Sequence, residues 1–314
     1  MTIKVGVFYS GELRTIRKTI SYFKENILLN DNVHVFATLQ APNTDTVIEQ
    51  EYEQWLRKEL GSHLISLVWF YPTNPEWTHL RETLLSKMPI EDTWKHYLRT
   101  SGSMIEHYQT YINYKNMCMI ESIHDMTYDY IVKYRTDMVI TKPVDFQWLF
   151  TSDDKVCGGD DAILSEVISN IFFAGHINHR TLGDGLALYV HKNDGLYNTV
   201  LLDTNIRSAA SKYIQSGNYI ITFRENLFYI VKRQYIDAIA HIGIMYGQLK
   251  TPYNNYWFNS ESQFKEACYS SGLTIIDYGS VKEISSLYEY SYDNFFTANG
   301  DLADDNVLFF LMRY

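Results

Sequence analysis

The sequence has few cysteines, no long apolar run and no cluster of basic residues. Its three cysteines, Cys118, Cys157 and Cys268, are far apart and odd in number. That argues against a disulfide framework and fits a reducing cytosol. No two of them have metal-ligand spacing. No apolar stretch approaches the roughly 20 residues needed to span a bilayer. The opening, MTIKVGVFYSGELR, does not read as a signal peptide, because its apolar run is short and polar residues follow at once. A soluble, cytoplasmic protein is expected. With 27 basic against 37 acidic residues, a net charge of −10 and no Lys/Arg run, nucleic acid and anionic membranes are poor partners. Neither G-x-G-x-x-G nor G-x-x-x-x-G-K-[ST] occurs, which sets aside the usual dinucleotide and P-loop sites.

What is abundant is aromatic: 26 tyrosines, and 15% aromatic residues overall. Such side chains suit stacking on sugars and bases, and equally suit a core. With 314 residues, 46% of them hydrophobic, the chain is long enough for one large domain or two modest ones. No repeat, low-complexity segment or linker stands out. The simplest division is one domain over residues 1–250 with a C-terminal extension over 251–314.

The chain opens as strand, loop, helix, strand. Ile3–Tyr9 is a β run ending at Ser10-Gly11. Ile16, Ile20, Phe23 and Ile27 fall at helical spacing, and Val33–Leu39 is a second strand. That is the start of a βαβ unit and a parallel sheet. The loop carries Ser10, Gly11 and Arg14, where glycine allows close backbone approach and helix-start N–H groups favour anions. An ordinary strand-to-helix turn reads the same way. Asp45–Gly61 is expected to be helical and Leu64–Tyr71 a buried strand closed by Pro72 and Pro75. Glu76–Arg99 is expected to be helical in parts, broken at Pro89. Met104–His124 reads as a long amphipathic helix with Ile105, Tyr108, Ile112, Met119 and Ile123 inward. Tyr108, Gln109 and Lys115 are its candidates for polar work near a ligand. Further on, Leu186–Val190 is apolar, Leu196–Ser208 and Ser211–Ser216 look helical, and Arg224–Arg233 reads as a helix start bearing Glu225. Ser262–Ser271 reads as a helix and Leu273–Tyr278 as a late strand.

Tyr128–Ile140, YDYIVKYRTDMVI, is the stretch with the most chemistry. Its alternation puts Ile131, Lys133, Arg135 and Asp137 on one face and Val132, Tyr134, Thr136 and Met138 on the other. Two cations and a carboxylate gather near the strand's end, before Pro143. In an open α/β sheet that end is where ligands bind. The plain alternative is an edge strand with one solvated, charged face.

Taken in order, four stretches resemble glycosyltransferases of the GT-A type, above all small bacterial and viral ones that build glycan chains. They are VGVFYSGELRT, then SMIEHYQTYINYKNM running into YDYIVKYRTDMVI, then LGDGLALYV, then FRENLFYIV. The resemblance implies a Rossmann-like, mostly parallel central sheet flanked by helices. It implies a nucleotide-sugar donor, a glycan or other hydroxyl acceptor, transfer of a hexosyl or pentosyl group, and Mn²⁺ or Mg²⁺. The family's Asp-x-Asp corresponds to Arg135-Thr136-Asp137, so Asp137 takes the metal-ligating position. Arg135, standing where the first acid would be, could meet a phosphate instead. Ser10, Gly11, Arg14 and Tyr108 match the donor-nucleotide side. Asp184 and Glu225 are the candidates for deprotonating an acceptor. As a loop Asp between glycines and a helix first-turn acid, each also has a plain structural role.

Three other readings compete. One is a catalytically inactive relative that binds glycan or nucleotide. A second is a viral enzyme that glycosylates DNA bases, against which the net charge counts. A third is a nucleotidyltransferase, which would want a Gly-rich basic loop absent here. The Tyr-, Asn- and Ile-rich composition points to an AT-rich viral or bacterial genome, and the region after about residue 250 could form an oligomer contact.

Overall fold

The computed structural model describes residues 3–13, 15–41, 46–140, 143–144, 176–182, 185–191, 218–223, 226–249, 256–277 and 309–311. The chain forms two interleaved compact units. The first comprises Met1–Leu13, Asn30–Thr136 and Ile230–Ser271; the second comprises Arg14–Leu29, Asp137–Tyr229 and Gly272–Tyr314. Residues on both sides of position 250 therefore share the first unit.

The first unit is an α/β layer structure, as the sequence leads one to expect. Strands β1 (Val5–Glu12), β2 (Val33–Gln40), β3 (Leu64–Phe70) and β4 (Tyr130–Arg135) lie in the order β3-β2-β1-β4, and the pairs β1·β2, β1·β4 and β2·β3 are all parallel. Val5–Ser10 and Val35–Leu39 are buried without a break, the near-continuous pattern of central parallel strands. The edge strand β3 is only half-buried along its middle. Helix α2 (Thr46–Leu60) leads into it.

Pro75 opens helix α3 (Pro75–Lys87) rather than merely closing the strand before it. Proline tolerates the first helical position because its missing N–H would find no partner there. Asn74 caps the helix, its side chain accepting from the backbone N–H groups of Glu76 and Trp77. After the break at Pro89 comes α4 (Asp92–Thr100), then α5 (Ser103–His124), which ends on Asp125 in the left-handed region at φ 46°.

Two expectations change here. The buried positions of α5 are Met104, His107, Gln109, Thr110, Asn113 and Met117, whereas Met119 and Ile123 are exposed. The helix faces its sheet with a mixed polar stripe, not with the isoleucine stripe. The second change is at residues 224–233, read from sequence as a helix start. Phe228–Lys232 is a strand, β9, beside β4. FYIV is a short run of aromatic and β-branched residues, and periodicity cannot separate a buried strand from a buried helix over so few residues. The backbone N–H of Arg233 donates to Asp129 O at 2.9 Å. Helix α6 (Ile236–Met245) then crosses α5 closely at Gly243, where any Cβ would press on the His107 carbonyl. Helix α7 (Ser260–Ser270) completes the unit.

In the second unit α1 (Ile16–Asn26) buries Ile16, Thr19, Ile20, Phe23 and Asn26, and the flanking Ile27 is buried too. It packs along β5 (Met138–Ile140), with Asn26 Nδ2 donating to Ile140 O at 2.7 Å. β5 pairs antiparallel with β11 (Phe309–Leu311). The remaining strands are β6 (His176–Leu182), β7 (Gly185–His191), β8 (Tyr219–Phe223) and β10 (Thr274–Asp277), in the order β8-β10-β7-β6. β8 and β7 run parallel to β10, and β6 is antiparallel to β7.

Candidate functional site

The carboxyl ends of β2, β1 and β4 form one row. Thr38 is in register with Ser10, and Ser10 with Arg135. Side chains in such a row share a face of the sheet, and here that face is covered by α5. Thr38 Oγ1 donates to Asn113 Oδ1 at 2.5 Å. One row nearer the strand starts, Phe36, Phe8 and Lys133 line up on the same face.

Just beyond Ser10 the backbone turns sharply. Gly11 has φ 138°, and a Cβ there would overlap Thr136 Oγ1. The Thr136 N–H donates to Ser10 O at 3.0 Å and its hydroxyl to Glu12 O at 2.7 Å. Glycine is needed at position 11 on both counts. The two motifs that carry the sequence resemblance, 125 positions apart, are thus stitched together at the sheet's carboxyl edge.

Charge in this region is paired. Lys133 is almost fully buried and its ammonium donates to Glu106 Oε1. Arg135 Nη1 approaches Glu106 Oε2 at 3.4 Å. Burial alone would raise the Glu106 pKa, but Lys133, Arg135 and His107 outweigh it and hold the carboxyl below its usual range. The neighbouring His107 is pushed down to about 4, first by burial and then by the Lys133 ammonium. It is neutral at pH 7, and its Nε2 lies 3.2 Å from Ser260 O and 3.0 Å from Ser260 Oγ. Gln109 Nε2 and Asn113 Nδ2, on the same stretch of α5, are buried without a protein partner among the described residues.

Of the residues singled out from sequence, Ser10, Gly11 and Arg135 come together. Tyr108 does not join them. It stacks on Trp77 at 4.7 Å and meets Phe70 edge-on at 5.9 Å. Two positions along α5 from Glu106, it points to a different flank of the helix. Asp137 is buried in the second unit, in the turn before β5. Arg14, Asp184 and Glu225 lie outside the described residues. Lys133 corrects the edge-strand alternative: β4 is an interior strand, and this cation is sealed in an ion pair.

Glu106, Thr38, His107 and Asn113 were not singled out from sequence. Their signal was present as polar residues at 106, 110 and 113, the i, i+4, i+7 spacing of one helix face. Among the described residues no three His, Cys, Asp or Glu side chains gather to hold a metal ion; Asp184 and Glu225 lie outside them.

No family model matches the chain, and no curated protein does. Solved structures similar to it include mouse xyloside xylosyltransferase 1 in its apo form. That one is 10% identical over 88% of this chain and 86% of the other, with a TM-score of 0.33. The apo bifunctional glycosyltransferase WbbM is 12% identical over 87% of this chain and 38% of that one, with a TM-score of 0.30. The α/β character of the first unit rests on its strand order and parallel register.

Proposed function

We propose that the chain is a glycosyltransferase that moves a sugar from a nucleotide-sugar donor to a glycan or other hydroxyl acceptor. The observation that carries this reading is the row Thr38–Ser10–Arg135, with Gly11 and Thr136 locked behind it at the carboxyl edge of parallel strands. Sheets of this kind take ligands at that edge. A planar guanidinium suits a phosphate, and Arg135 supplies one. As the anomeric bond breaks, negative charge grows on the leaving diphosphate, and a fixed guanidinium stabilises it. No step is assigned to a metal. Asp184 and Glu225 remain the candidates for taking the acceptor proton, and the acidic net charge favours a glycan over a nucleic acid as acceptor.

The test is a thermal-shift screen of UDP-, GDP-, CMP- and dTDP-sugars, with and without Mn²⁺, on the wild type, Asp137→Ala and Arg135→Gln. A ligand that binds only the folded chain raises its midpoint. A shift for one nucleotide class, kept without Mn²⁺ and lost in Arg135→Gln, is expected. A shift that requires Mn²⁺ and is lost in Asp137→Ala would replace the arginine with a metal. No shift with any donor would overturn the assignment.

A further inference from the structure

Building on that reading, we infer that Glu106 is a positioning residue, which orients the Arg135 guanidinium toward the diphosphate of the donor and is itself anchored by Lys133. Three observations converge on it. Glu106 bridges two cations, one oxygen toward Lys133 and the other toward Arg135. The two cations differ in access. Lys133 keeps 1% of its side-chain surface exposed and Arg135 keeps 18%, so a ligand can reach the arginine and not the lysine. Finally, the bridge is tied to the framework at both ends. Glu106 sits in the first turn of α5, where the helix dipole favours a carboxylate. Lys133 and Arg135 alternate on an interior strand whose partner β1 holds Ser10.

A buried lysine with no access to ligand is an expensive way to fill a core, and a plain ion pair needs only one cation per carboxylate. The second cation, at the strand end, is the one with access. A carboxylate fixed by Lys133 gives Arg135 a stationary partner, so fewer rotamers of a long side chain must be frozen when a diphosphate arrives.

The experiment measures UDP and GDP affinity by titration calorimetry on the full chain. The variants are Glu106→Gln, Glu106→Asp, Arg135→Gln, the double Glu106→Gln/Arg135→Gln, and Glu106→Gln/Lys133→Met. The last removes the buried ion pair together and keeps the test alive if Glu106→Gln alone fails to fold. Glu106→Gln and Glu106→Gln/Lys133→Met are expected to weaken nucleotide binding about tenfold, the scale of one misaligned charge-assisted hydrogen bond. Glu106→Asp should recover part of the affinity. In the Arg135→Gln background the Glu106 change should matter less than about twofold, because an effect routed through the arginine cannot add to its loss. Equal losses in both backgrounds, or full affinity in Glu106→Gln/Lys133→Met, would overturn the inference while leaving the transferase reading intact. A wild type that binds neither nucleotide, together with silence in the donor screen, would remove both.

Discussion

Between α5 and the sheet of the first unit lie two layers of opposite character. Toward the strand starts the contact is apolar. Ile131, Met117 and Tyr128 surround Gly6, and Phe36 is edge-on to both Phe8 and Tyr128. A Cβ at Gly6 would lie 3.5 Å from Met117 Sδ of α5, so helix and sheet touch there. Toward the strand ends the same helix and strands hold Thr38, Asn113, Glu106 and Arg135 by hydrogen bonds and ion pairs, with Lys133 reaching Glu106 from the row of Phe8 and Phe36, while the neighbouring His107 bonds to Ser260. The apolar layer gains stability in proportion to area removed from water. The polar layer gains little net stability from its pairs, because their desolvation offsets their attraction. A fold needs the first kind of layer; here the second lies toward the carboxyl edge of the sheet, where the proposed function puts the donor.

The largest effects should come from emptying each layer in turn. Phe36→Ala is expected to cost about 3–5 kcal/mol by urea unfolding, from lost transfer energy and the cavity left behind. Lys133→Ala should cost a similar amount, about 3–5 kcal/mol, because Glu106 is left buried beside one less cation. The two losses differ in rescue. Adding Glu106→Met to Lys133→Ala should return most of the stability, whereas no polar change elsewhere restores Phe36→Ala. Rescue of neither would erase the distinction between the layers.

Acid should act on the polar layer through His107, and beside Tyr128 through His34, whose pKa burial also lowers. His107 takes its proton near pH 6.5 when unfolded and near 4 when folded. Between those values the unfolded chain binds more protons, so His107's contribution is full above pH 6.5 and is lost as pH falls toward 4. The total is roughly 3 kcal/mol. Glu106, whose folded pKa is also lowered, pulls in the same direction at the acid end. Unfolding measured across this range should have a shallower slope between pH 6.5 and 4 in His107→Gln and keep the wild-type slope in Phe36→Leu.

Next in size is the seam at the strand end. Gly11→Ala puts a side chain at φ 138° against Thr136 and should cost about 1–3 kcal/mol, with a weaker nucleotide shift. The smallest effect should come from outside both layers. Arg57 and Glu53 form an exposed i,i+4 pair at 2.8 Å on α2. Arg57→Ala should change stability by less than about 0.5 kcal/mol, which sets the noise level for the rest.

Much of the layout was legible because it is local. The α1 stripe of Ile16, Ile20, Phe23 and Ile27, the strands β1 and β2, the break at Pro89 and the extent of α5 all follow from periodicity and breakers within short windows. The alternation of Lys133 and Arg135 was legible too, since a strand's period fixes which residues share a face. What escaped was the rotation of α5. Two stripes compete on it, and hydrophobicity favours the isoleucines. Partners far along the chain turn the polar stripe inward: Lys133, 27 positions from Glu106, supplies its countercharge, and Thr38 bonds to Asn113. Sequence windows do not see such a partner. The helical reading of residues 228–232 failed for a related reason: FYIV, aromatic and β-branched, lies as a strand beside β4, and a run so short carries no period to tell strand from helix.

The most direct test of the account is the affinity of UDP and GDP for the wild type and Arg135→Gln, measured by calorimetry at low and at physiological salt. The account predicts that the wild type binds one of them, that Arg135→Gln weakens it about tenfold or more, and that the gap narrows as salt rises. Equal affinity in the two proteins at both salt concentrations would contradict it, because the cation at the end of β4 would then have no part in holding the donor.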